Sequence, residues 1–227
     1  MLIFAKQPIY YLIEQYPDKI KKLYIAKELD KKEFARLNRF GFELKRIPNE
    51  VAVKMAKGGS HQGFLAEVDE VELTSYKKLL KGDFVVVLSG VTDVGNIGSL
   101  VRSCYALGVD GVIATGVKKL PLEALVRVST GALYDLPFAI EHNIYDVLND
   151  LKTSGFSVYG ADMNGVSHKK LHPKGKKALV LGSEGEGLPK RVVSKLHEVV
   201  SIEMQHQFDS LNVAVAGAIL IDRMRDE

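Results

Sequence analysis

The run FVVVLSG at residues 84–90 is apolar, β-branched at three consecutive positions and closed by a glycine. A strand with one wet face alternates apolar and polar residues, whereas a strand buried on both faces of a parallel sheet reads as a continuous apolar run. The same texture returns at VDGVIATG (109–116), PFAI (137–140), FSVYGA (156–161), KALVLG (177–182) and EVVSIEM (198–204). Helix-length segments lie between these runs: Ser99 to Leu107, Leu122 to Leu133, Ile144 to Ser154 and Lys190 to Leu196. Strand and helix in alternation predict an α/β fold, an open parallel sheet with helices on both faces. Ligands of such sheets bind beyond the carboxyl ends of the strands. The glycine-rich or polar segments after Leu88, Leu181 and Met204 are therefore where chemistry is expected.

Toward the amino terminus the texture changes. Short helix-like and strand-like pieces alternate: Pro8 to Gln15, LYIA (23–26), Lys31 to Phe40, FELKRI (42–47), Pro48 to Lys57 and GFLAEV (63–68). They predict a small α/β domain over residues 1–72. The polar stretch 73–82, ending in Gly82, reads as a linker, and 83–227 as the second domain. Up to Gly82 there are 16 Lys and Arg against 11 Asp and Glu, a net of +5; from Asp83 onward 15 stand against 17, a net of −2. The excess positive charge sits in the first third, where Lys21, Lys22, Lys31, Lys32, Arg36, Arg39, Lys45 and Arg46 cluster.

The 227 residues, 46% apolar and 26% charged with a net charge of +3, have the composition of a globular chain of one or two domains. One cysteine, Cys104, permits no internal disulfide and no thiolate zinc site, and the histidines show no metal-ligand spacing. No metal is expected. The start MLIFAKQPIYYLIEQYPDK lacks the pattern of a secretory signal, and the longest apolar block, Val213 to Ile221, is about half of what a membrane span needs. The expected compartment is the cytoplasm.

GVTDVGNIGSLVR, residues 90–102, fits neither a dinucleotide-binding turn, because its glycines do not give G-x-G-x-x-G, nor a P-loop, because Asn96 and Ile97 stand where Lys and Ser or Thr are required. It does place Asn96 and Arg102 at the opening of a helix, where amides and a guanidinium can face an anion. In LVLGSEGEGLP, residues 179–189, three glycines let backbone approach a ligand, while Glu184 and Glu186 repel phosphate. A neutral or cationic ligand suits that loop. In the segment 201–224, Asp209 or Ser210 can cap a helix whose body, Val213 to Ile221, is apolar on nearly every side and is expected to be buried. Ser210 and Asn212 at its start then need partners, which a ligand could supply.

N-x-G-x-x-x-R at 96–102, GSEGEGL at 182–188 and SLNV at 210–213, in this order, resemble the three motifs of the SpoU family of RNA ribose 2′-O-methyltransferases, a branch of the SPOUT superfamily. The leading region resembles the ribosomal-protein-like RNA-binding domain that precedes the catalytic domain in the subgroup modifying a guanosine of large-subunit (23S) ribosomal RNA; SHQGFLAEV (60–68) resembles the segment closing that domain. The resemblance implies a carboxyl-terminal trefoil knot, a homodimer packed through the knotted region, and S-adenosylmethionine bound there. It implies that backbone around Gly182, Ile202 and Leu211 holds the adenosyl group, and that Asn96, Arg102, Glu184, Ser210 and Asn212 form the catalytic constellation. A transfer RNA substrate, or a non-catalytic RNA-binding or ribosome-assembly role, is the alternative.

The chain departs from the family pattern at Glu203, where a proline is usual, at His206 in place of a glycine, at Ala214 in place of a serine, and at Val94 in place of a proline. A sulfonium methyl is already activated, so the expected transfer needs alignment and no metal. The ribose hydroxyl is a weak acid, and a guanidinium stays protonated, so Arg102 is read as a clamp on the neighbouring phosphate that stabilises alkoxide charge. Glu184 is read as an orienting group, holding Asn96.

Overall fold

The computed structural model describes residues 1–206 and 210–225. In chain order the elements are β1 (Leu2–Phe4), α1 (Lys6–Gln15), β2 (Ile20–Ile25), α2 (Lys31–Leu37), β3 (Glu43–Arg46), α3 (Asn49–Met55), β4 (Phe64–Val68), α4 (Tyr76–Leu79), β5 (Phe84–Ser89), α5 (Val94–Ala106), β6 (Gly111–Thr115), α6 (Leu122–Val128), β7 (Phe138–Glu141), α7 (Ile144–Thr153), β8 (Ser157–Ser167), β9 (Lys177–Gly182), α8 (Lys190–Val193), β10 (Glu198–Ser201) and α9 (Val213–Arg225). They form two compact units: Met1–Glu72 with Pro121–Tyr134, and Leu73–Leu120 with Asp135–Glu227.

The first unit is a four-stranded sheet in the order β1-β4-β2-β3, with β4 antiparallel to both neighbours and β3 parallel to β2. Helix α1 buries Pro8, Ile9, Leu12 and Ile13, one stripe of its surface. Asp30 caps α2, its carboxylate accepting from the Glu33 amide at 2.7 Å. The segment SHQGFLAEV does local structural work. His61 Nδ1 accepts from the Gly63 amide at 3.1 Å, Gly63 takes φ +82°, and Gln62 Oε1 accepts from the Lys6 amide at 3.0 Å, satisfying a donor at the start of α1. The region 122–133, expected as one helix of the second domain, is a helix followed by a 3₁₀ turn (Ala132–Tyr134), and it belongs to this unit. Arg127 lies over the Phe4 ring at 3.9 Å, and the Tyr134 hydroxyl donates to the Asp69 carbonyl at 2.6 Å. Apolar periodicity reveals such a helix without saying which sheet it covers.

The second unit is a six-stranded, wholly parallel sheet in the order β10-β8-β9-β5-β6-β7. Every residue of β5 and β6 is buried. Val85 and Val87 enter one core with Ile113, Val147, Leu148, Leu151, Val158 and Val180, and the intervening Val86 and Leu88 face the other side. Residues 73–82, expected as a linker, carry α4 instead. Ser75 caps it, and Tyr76 and Leu79 sink into that same core. Their three-residue spacing is a helical signal hidden among charges.

From β5 the chain steps outward through β6 to the β7 edge, then crosses back to lay β8, β9 and β10 on the opposite side. The point where direction reverses lies between β5 and β9, whose carboxyl ends, Ser89 and Gly182, are paired. Beyond that point α5 and α9 pack on one another and α9 on β9. A Cβ at Gly217 would stand 2.5 Å from Leu100 Cδ2 and 2.8 Å from Leu181 Cδ1, so the absent side chain lets α9 settle against both.

Burial of α9 on all sides, expected from its apolar sequence, is corrected. Val213, Gly217, Leu220 and Ile221 are buried, but Val215 and Ile219 are 49% and 36% exposed, since α9 packs on α5 and β9 from one side. Among the described residues no helix is long and apolar enough to cross a membrane.

Candidate active site

The loops that leave β5 and β9 at the reversal point, together with the segment entering α9, carry the polar residues singled out from sequence. Asp93 caps α5, its Oδ1 accepting from the Asn96 amide at 2.7 Å. Sequence reasoning passed over Asp93, although an Asp opening a helix is a readable start signal. Val94 is the first residue of α5, a position that tolerates proline because its amide needs no helical partner; valine there leaves the turn intact. Asn96, in the same first turn, is only 9% exposed.

Asn212 stands immediately before α9 and organises the group. Its Oδ1 accepts from the amides of Ala214 at 2.9 Å and Val215 at 3.4 Å, which makes it the helix cap. With the oxygen so engaged, Nδ2 has two N–H groups to give, and it donates both: to Asn96 Oδ1 at 2.8 Å and to Glu184 Oε1 at 2.8 Å. This corrects two expectations. Capping falls to Asn212 rather than to Ser210, which is exposed, while Asp209 lies outside the described residues. Asn96 is held by Asn212, with Glu184 as the second arm, and not by Glu184 itself.

The glycine loop after β9 doubles back on itself. Ser183 bridges Gly187, with the Gly187 amide donating to the Ser183 carbonyl at 3.0 Å. A Cβ on Gly182 would meet the Gly187 carbonyl carbon at 2.3 Å and its oxygen at 2.4 Å, so only glycine permits this crossing. On the other side, β8 pairs with β10 through Gly160, then resumes at Val166, and residues 161–165 bow out between.

These segments enclose a cavity of ≈ 680 Å³. Gly182, Glu184, Ile202, Ser210, Leu211 and Asn212 line it, and Asn96 joins through its bond to Asn212. Arg102 does not line it. It is exposed on α5, six residues beyond Asn96, and among the described residues it has no ion-pair partner. The cavity also draws on Asp162 and Met163 of β8 and on Ala216 and Leu220 of α9, which no motif marked.

Two other departures face solvent. Glu203 pairs with Lys169 at 3.1 Å, and the Ser167 hydroxyl and Lys169 ammonium beside it hold its carboxyl below the usual carboxylate range. His206 is exposed, as is usual for a loop histidine. Cys104 is fully buried, and burial pushes its thiol far above its ordinary value, which rules it out as a nucleophile.

In the first unit the basic cluster divides. Lys21 pairs with Asp69 at 2.9 Å, Lys22 with Glu43 at 2.9 Å and Arg36 with Glu14 at 2.7 Å. Lys31, Lys32, Arg39 and Lys45 are exposed without an ion-pair partner among the described residues, and Arg46 lies over the Phe34 ring at 5.1 Å.

Two family descriptions match successive parts of the chain. Residues 83–222 match the SpoU rRNA methylase family, and residues 2–74 match a family described as RNA 2′-O ribose methyltransferase substrate binding. The chain is 30% identical over 216 residues to the 23S rRNA (guanosine-2′-O-)-methyltransferase RlmB of Bordetella pertussis, covering 90% of this chain and 88% of that one. Its structure is similar to that of the SpoU methyltransferase AviRb from Streptomyces viridochromogenes in complex with AdoMet, with a TM-score of 0.75, 25% identity, and coverage of 98% and 88%. It also shares the fold of an AdoMet-bound rRNA methyltransferase from Sinorhizobium meliloti, with a TM-score of 0.78, 20% identity, and coverage of 98% and 85%.

Proposed function

The chain belongs to the SpoU rRNA methylase family of S-adenosylmethionine-dependent RNA 2′-O-methyltransferases, and from that membership we propose that it methylates the ribose of a guanosine in 23S ribosomal RNA. The observation that carries this reading is the single hydrogen-bonded group Asn96, Asn212 and Glu184 at the mouth of a cavity built at the sheet's reversal point. Similarity to RlmB across both units supports the ribosomal substrate.

The cavity suits the methyl donor. Its volume is that of pockets that hold drug-sized ligands, its walls are glycine backbone and the apolar Leu181, Val200 and Leu220, and its charged side chains are acidic. When bound, S-adenosylmethionine supplies a methyl group already activated by its sulfonium, so the chain's task is alignment and charge stabilisation. Backbone at Gly182, Ile202 and Leu211 frames the adenosyl side, and the tight crossing of Gly182 on Gly187 keeps that frame rigid. Asn212 locks the direction of Glu184 and Asn96, and Ser210, exposed on the cavity lining, presents its hydroxyl to the ribose. Arg102, always charged and exposed on α5 outside the cavity wall, is the group to clamp the phosphate next to the reacting sugar.

RNA is gathered by the basic residues of the first unit that local acids leave free: Lys31, Lys32, Arg39 and Lys45. Val215 and Ile219, one turn apart on the outer face of α9, are apolar and exposed, which supports a homodimer packed through that helix; sedimentation of the intact protein at micromolar concentration tests it. The threading of the carboxyl-terminal segment into a trefoil knot is part of the same proposal, supported by the return of α9 from the β10 edge across the sheet to α5. A crystallographic chain trace decides it.

Mapping 2′-O-methyl positions in total RNA from a deletion strain and from the same strain rescued tests the substrate. The expected result is one guanosine of 23S RNA that loses its methyl group on deletion and regains it on rescue. Loss confined to a transfer RNA overturns the ribosomal assignment, and an unchanged map overturns the enzymatic one.

A further inference from the structure

Among the described residues, the cavity wall carries three carboxylates, Asp162, Glu184 and Glu186, and no lysine, arginine or histidine. None of the three has an ion-pair partner among the described residues, so their charge is uncompensated. Glu184 is engaged by Asn212, but Asp162 and Glu186 have no part in the chemistry above. Asp162 is fixed in place. Its Oδ1 accepts from the backbone amide of Asn164 at 3.0 Å and from the Asn164 side-chain amide at 3.3 Å, which leaves Oδ2 facing the glycine loop, 3.8 Å from where a Cβ on Gly187 would stand.

The methyl donor carries a sulfonium, an ammonium and a carboxylate, a net charge of one positive. Its demethylated product has lost the sulfonium charge and is neutral overall. A cavity of similar shape for both but negative in potential binds the cation more tightly. We infer that Asp162 and Glu186 are specificity residues that make this cavity prefer the cationic donor over the neutral S-adenosylhomocysteine it generates, which favours product release. The inference rests on the methyl-donor reading of the cavity.

Calorimetric titration of the intact protein with S-adenosylmethionine, S-adenosylhomocysteine and sinefungin, which bears an ammonium in place of the sulfonium, tests it. Both cations are expected to bind about tenfold more tightly than the neutral product at low salt, with the gap shrinking to about twofold near 1 M salt as the charges are screened. Asp162→Asn keeps the oxygen that accepts from Asn164, and Glu186→Gln alters an exposed loop position, so both variants are expected to fold, as thermal melting checks. Each is expected to close the low-salt gap by about threefold while leaving affinity for the neutral product within about twofold. Equal weakening toward all three ligands, or a gap indifferent to both substitutions and to salt, overturns the inference. If the unaltered protein binds none of the three, the donor reading itself fails, a result distinguishable from binding without charge preference.

Discussion

In the carboxyl-terminal unit, polar side chains at the carboxyl ends of the strands are tied to one another: one amide of Asn212 holds Asn96 and Glu184 while its oxygen caps α9. In the amino-terminal unit the opposite holds for the charges exposed on α2 and β3. Lys31, Lys32 and Lys45 extend into solvent, while Lys21, Lys22 and Arg36 are engaged by Asp69, Glu43 and Glu14. The two demands differ physically. Methyl transfer tolerates little misplacement, so its groups are braced; attraction of a polyanion needs only charge within reach, so bracing would gain nothing. A count of lysines and arginines therefore overstates the RNA-facing charge, and a count of hydrogen bonds finds the chemistry.

The comparison breaks most decisively at Asn212. Asn212→Asp keeps an oxygen for the α9 cap but removes both N–H donors and sets a second carboxylate beside Glu184. Methyl transfer is expected to fall by about 100-fold with the melting temperature almost unchanged; unchanged methyl transfer in a variant that keeps the cap oxygen marks Asn212 as a cap alone.

Gly182→Ala comes next. Its new Cβ collides with Gly187 backbone, which cannot swing aside as a side chain can, so donor affinity by calorimetry is expected to drop about tenfold or more.

Smaller effects are expected in the other unit. Replacing Lys31 and Lys32 together by Ala lowers the slope of log affinity against log salt by about 1.4–1.8 on RNA, whereas Lys22→Ala, already paired with Glu43, leaves the slope near its original value. An equal effect of the two variants erases the distinction between free and paired charge.

The smallest effect concerns the brace between α4 and α7. Hydrogen bonds from the Lys77 ammonium and the Tyr76 hydroxyl hold the Asp150 carboxyl below the ordinary carboxylate range. A lowered carboxyl stabilises the fold at pH above its unfolded-state value, and that contribution disappears as pH falls through the folded-state value. The melting-temperature gap between the wild type and Asp150→Asn is thus expected at neutral pH and closes in acid. A gap that persists there assigns the effect to packing.

Much of this was legible from residue order. Continuous apolar runs such as FVVVLSG and KALVLG marked buried parallel strands because no alternation was needed, and the three polar turns stood out because nothing in a sheet core requires Asn, Glu or Arg there. Other features were invisible. The α4 helix hid among charges, the three-residue β1 was too short to show a period, and Asp162 lies in a bowed strand without any motif.

Local pattern settled which segments are strands and helices, because side-chain period and turn chemistry act over a few residues. Which residues share a cavity was settled by packing at long range. Asn96 and Asn212 lie 116 positions apart and meet because the absent side chain of Gly217 lets α9 pack against α5, and the chain's reversal between β5 and β9 brings their loops to the same end of the sheet. No periodicity along the chain encodes a distance across it, so the pocket, its acidity and the exposed face of α9 became visible only once the elements were packed.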